Sequence, residues 1–179
     1  MLHSRTPLVA RAAIAVVSAG VVLCGLSGCS VSESRKAEVV ASQEVQLREF
    51  VDQADAWGAD IIAQVPEDEL ASVTGLIGGR RQAGANYEEW PKYYYWSQIV
   101  ELDPGARTPT EFADGLEPWL EEQGWVRNLD SEFPPGKQTF VRDYVRGQYS
   151  LAVEVYTASP PQAQLLNFRI VTPDTDPTP

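Results

Sequence analysis

The sequence predicts an α+β domain, with a long N-terminal helix and a second helix packed on one face of a four- to five-stranded antiparallel sheet. Three observations carry that expectation. Apolar residues recur at helical spacing from Ser34 to Val65, a capping motif opens a second helical stretch at Thr108, and the last third of the chain alternates apolar with polar residues. A chain of 179 residues fits one such domain. The balance of 25 acidic against 14 basic residues gives a net charge of −11. That excludes a nucleic-acid footprint, which needs clustered Lys and Arg.

In the first helix, Val40, Leu47, Phe50, Ala54, Trp57, Ile61 and Val65 fall on one stripe, and Pro66 supplies the stop. Pro66-Glu67-Asp68-Glu69 suits the first turn of a short helix reaching about Val73, with acids at the positive dipole end. Gly75, Gly78, Gly79 and Gly84 then mark turns. Tyr93 to Leu102, "YYYWSQIVEL", reads as a strand. Its period of two sets Tyr94, Trp96, Val100 and Leu102 on the core face and Tyr93 and Tyr95 on the other.

Thr108, Pro109 and Glu111 form a capping box for the second helix, and Gly124 suits its C-terminal cap. Pro118 inside it predicts a kink or two short pieces. Strands follow over 125–129, 138–145, 148–157 and 164–171. The closing "TPDTDPTP", residues 172–179, has the composition of a disordered tail. The domain itself is expected over 34–171.

The N-terminus reads differently. Arg5 and Arg11 precede an apolar run from Ala12 to Leu26, and small residues follow before charge returns at Glu33. This is the layout of a secretory signal peptide. Its junction, Leu26-Ser27-Gly28-Cys29, resembles the lipobox of bacterial lipoproteins. The resemblance implies cleavage after residue 28, a lipid on Cys29, a lipidated tether over 29–33, and anchoring on the extracytoplasmic face of the cell membrane. Two acyl chains anchor stably, since each buried methylene contributes about 0.8 kcal/mol. Cys24 lies inside the run to be discarded, which argues against a disulfide or metal site with Cys29.

Processing would also remove His3, the only histidine. No Ser-His or Cys-His nucleophile and no imidazole or thiolate metal site would remain, so neither a catalytic role nor a metal or cofactor is expected. The motif order around "PTEFADGLEPWLEEQGW" looks like small cell-envelope lipoproteins of actinobacteria. The expected role is therefore non-catalytic binding or support of an envelope protein or small ligand. Tyr93, Tyr95 and the nearby Trp90 are the candidate contact residues, because partly exposed aromatics can stack on a partner. The alternative is a hydrolase of envelope glycans using paired carboxylates drawn from Glu88, Glu89, Asp103, Glu111, Asp114, Glu121 and Glu122.

Overall fold

A computed structural model describes residues 33–75, 78–82, 90–132 and 138–178, with only the backbone of residues 80–82. The lipobox expectation at Cys29 and the acids Glu88 and Glu89 lie outside these residues. The described residues fall in one compact unit, Ser32–Pro179.

Helix α1 spans Glu33–Ile62 and ends in tightened turns, with Gln64 N–H donating to Ile61 and Val65 N–H to Ile62. Leu47, Ala54 and Ile61 from its apolar stripe are buried, together with Gln43 and Gly58. The helix expected after Pro66 shrinks to one 3₁₀ turn, Glu67–Glu69, which runs into strand β1, Leu70–Thr74. A second short strand, β2, covers Gly79–Gln82. Both pair with β3, Lys92–Leu102, β1 against its end and β2 against its start. Backbone pairing to a long neighbour overrides the weak helical preference of so short a stretch.

Helix α2, Pro109–Glu122, starts at the expected capping box. Glu111 N–H donates to Thr108 Oγ1 at 3.2 Å, and Thr108 N–H donates to Glu111 Oε2 at 2.9 Å. It closes in a Schellman motif, with Trp125 N–H on Leu120, Gly124 N–H on Glu121, and Gly124 at φ +84°. The two short pieces expected at Pro118 do not form, and α2 is one helix across it. Pro118 and Asp114, whose carbonyl loses its donor, both lie on the exposed side.

Strand β4 is only Val126–Arg127, followed by a 3₁₀ turn at Leu129–Ser131, so the strand expected over 125–129 is shorter. Strands β5, Thr139–Arg146, β6, Tyr149–Tyr156, and β7, Gln164–Val171, complete one antiparallel sheet in the order β1-β3-β7-β6-β5-β4. Among the described residues the sheet thus holds seven strands in six positions, with β1 and β2 sharing one edge, rather than four or five.

Both helices cover the same face. Trp96, Val100, Leu102, Leu151, Val153, Val155, Leu166, Phe168 and Ile170 from that face pack with Phe112, Leu116 and Leu120 of α2 and with the stripe of α1. Trp57 of α1 meets Trp125 and Tyr149 edge-on at ring separations of 5.3 and 4.9 Å, with the Arg146 guanidinium over its ring. Tyr94 also points inward, and its hydroxyl donates to Asp55 at 2.8 Å. Burial and then that carboxylate push its pKa up to about 12.

The tail contradicts its composition. Thr172 N–H donates to Tyr94 O, and Tyr94 N–H donates to Thr172 Oγ1. Thr175 and Lys92 repeat that exchange, and Gln43 of α1 donates to Thr175 Oγ1. Gln46 and Asp176 bond one another twice. Threonine hydroxyls extend the β3–β7 ladder where prolines cannot donate, so Thr172 and Thr175 are buried. Residues 172–178 belong to the domain.

Candidate functional site

With both helices on one face, no described helix or strand packs on the other. The strand registers place its side chains in rows. One row runs Tyr95, Val171, Ser150, Val145, Val126 across β3, β7, β6, β5 and β4. The next runs Ser97, Arg169, Ala152, Asp143, and a third runs Ile99, Asn167, Glu154, Val141. Val126 is 63% exposed and Val145 36%, with Leu129 beside β4 at 68%. Val126 and Leu129 are the largest apolar exposures among the described residues of the sheet and its edge, ahead of Val73 in β1 at 39%, and apolar exposure of this kind marks contact surfaces.

Tyr93 and Tyr95 lie on this uncovered face, half-buried among their neighbours, while Tyr94 and Trp96 lie beneath. Trp90 is not grouped with them in the same way. It packs partly against the core, with Lys92 Nζ 4.9 Å from its ring centroid.

The centre of the face is polar. Ser97 Oγ donates to Asn167 Oδ1 at 2.9 Å, and Asn167 Nδ2 donates to Glu154 Oε2 at 3.2 Å. The Tyr156 hydroxyl bonds the same glutamate, and burial followed by the nearby charge raises its pKa. Beside this polar centre, Arg169 and Asp143 flank Ala152 without touching, although the guanidinium acts on the carboxylate across it. Among the described residues, Arg169 Nε is buried without an acceptor, and neither Arg169 nor Asp143 forms an ion pair. Burial, then repulsion from Glu132, holds the Asp143 carboxyl above the usual range, while Arg169 acts in the other direction. Asp143 therefore carries its charge at a cost to the fold. Sequence reading passed over Arg169 and Asp143, since a lone charge in an alternating strand looks like ordinary surface.

The carboxylates considered for glycan hydrolysis are engaged otherwise. Glu111 serves the helix cap, which lowers its pKa through the Thr108 bonds. Asp103, Glu121 and Glu122 are exposed. Asp114 pairs with buried Arg142, which also meets Glu117 at 3.4 Å. Glu117 in turn bonds Arg127 at 3.0 Å, and Arg127 bonds Glu132 at 2.6 Å. This chain of five charges ties α2 to β4 and β5 beside a concavity of about 300 Å³ that also includes Thr110, Phe140 and Val141. Both carboxylates lining the concavity, Asp114 and Glu132, are bound by arginines. Among the described residues, no cluster of three or more His, Cys, Asp or Glu could hold a metal ion.

The Arg127 hydrogen bond keeps the Glu132 carboxyl below the usual 4.5. Its folded pKa is depressed, so its stabilisation is complete above about pH 4.5 and fades as pH falls through the folded value. Glu132→Gln is expected to flatten the acid limb of a urea-midpoint-versus-pH profile below pH 4.5. A limb of unchanged steepness would assign acid sensitivity elsewhere.

No family model, curated protein or solved structure matches this chain.

Proposed function

We propose that this protein is a non-catalytic binding domain held at the extracytoplasmic face of a cell membrane by lipid on Cys29. The uncovered sheet face carrying Tyr93 and Tyr95 is its protein-contact surface. The observation that carries the binding role is that face, half-buried and apolar at its edge, with an arginine and an aspartate at its centre that form no ion pair among the described residues. A sheet with one face packed and the other free is stable in water, but polar residues usually dominate the free side. The anchoring role is supported by the residues of the N-terminus, the basic start, apolar run and Leu26-Ser27-Gly28-Cys29 junction. Among the described residues, no helix is long and apolar enough to cross a membrane.

One experiment with two arms tests both parts. Cys29→Ala is expected to release the protein from the membrane fraction and remove the mass of the lipid. Retention at unchanged mass would overturn the lipid anchor. A Tyr93→Ala, Tyr95→Ala double variant is expected to melt as a folded domain yet lose its crosslinked neighbour in intact membranes. A retained neighbour would move the contact surface elsewhere.

A further inference from the structure

We propose that the occupant of the uncovered sheet face is a second copy of this chain, related by a twofold axis lying along β6 above Ala152. This rests on the reading of that face as a protein-contact surface and names its partner. The argument comes from the register. Strands β7 and β5 flank β6, each about 4.8 Å from it, so Arg169 and Asp143 sit symmetrically on either side of Ala152. Rotation about β6 exchanges the two flanking strands. Arg169 then comes opposite the second copy's Asp143, and Asp143 opposite the second copy's Arg169. Each charge gains one ion-pair partner, and the pair occurs twice in one closed, isologous contact.

The adjacent row reads the same way in reverse. Val171 comes opposite Val145, Tyr95 opposite Val126, and Ser150 opposite itself. Apolar side chains therefore meet apolar side chains on either side of Ser150, and the small residues Ser150 and Ala152 lie on the axis, where two sheets approach most closely. Facing sheets pack about 10 Å apart, a spacing that a long arginine side chain spans from one sheet to the other. Glu154 also meets its own copy on the axis. Its charge is already engaged by Asn167 and Tyr156 within its own sheet.

The test uses the full chain in two differently tagged copies, expressed together and extracted from membranes in mild detergent. Wild-type copies are expected to capture one another. Arg169→Glu in both copies, or Asp143→Arg in both, is expected to lower capture at least tenfold, because each sets like charges face to face. Arg169→Glu in one copy with Asp143→Arg in the other restores both ion pairs and is expected to restore capture. Ser150→Asp, at an exposed position, is expected to lower capture with an unchanged melting temperature, which covers a failure of the other variants to fold. Wild-type copies that do not capture one another, or charge variants that capture as well as wild type, would overturn the inference. If copies stay apart while the tyrosine double variant loses a different membrane protein, the second-copy inference falls and the binding reading stands. Loss of neither overturns both.

Discussion

Gly58→Ala is expected to destabilise the domain by about 2 kcal/mol, although alanine is the better helix former by about 1 kcal/mol. A Cβ at residue 58 would lie 2.3 Å from two ring atoms of Trp96. Trp96 is 2% exposed and packed into the core on β3, so its ring has nowhere to withdraw. The helix must lift off the sheet or the indole must leave its rotamer. Urea unfolding measures the balance. A midpoint shifted upward would show that α1 is not seated on this ring.

The second large effect is an asymmetry within the ion-pair chain. Glu117→Ala is expected to cost about 2–3 kcal/mol, whereas Arg142→Met costs about 1 kcal/mol or less. Glu117 is the shared acceptor of Arg127 and Arg142, and the Arg142 side chain is only 10% exposed. Removing the glutamate leaves buried positive charge short of an acceptor. Removing Arg142 strands little, because Glu117 keeps Arg127, and the Asp114 side chain is 59% exposed to water. Methionine also fills the space beside Phe140 that the guanidinium occupied. Equal losses in the two variants would show that desolvation plays no part in this network.

Elements with a strong local signature were legible before the structure. The capping box at Thr108 and the glycine at 124 bracket α2 to the residue, and the alternation in "YYYWSQIVEL" assigns Tyr94 and Trp96 to the core and Tyr93 and Tyr95 to the other side. Elements defined by their neighbours were not. β1 and β2 are short, and most side chains of β1 stay exposed, so their strand character comes from β3 alone. The tail was misread because threonine and proline content signals disorder unless a strand end waits to receive the hydroxyls. The candidate face divides along the same line. The parity of its tyrosines is local, but the placement of Arg169 across β6 from Asp143 follows from strand order, which no spacing within one segment encodes.

That strand order also bears on when the domain can form. β7 follows the other described strands in the sequence, yet it lies between β3 and β6 and, among the described strands, makes the only join between the two halves of the sheet. Until residue 171 and the threonines after it are available, β1 to β3 and β4 to β6 share no strand pairing, and each ends in a raw edge. Pairings this distant in sequence form slowly and late. The C-terminal segment, which closes the sheet, therefore sets the timing of folding.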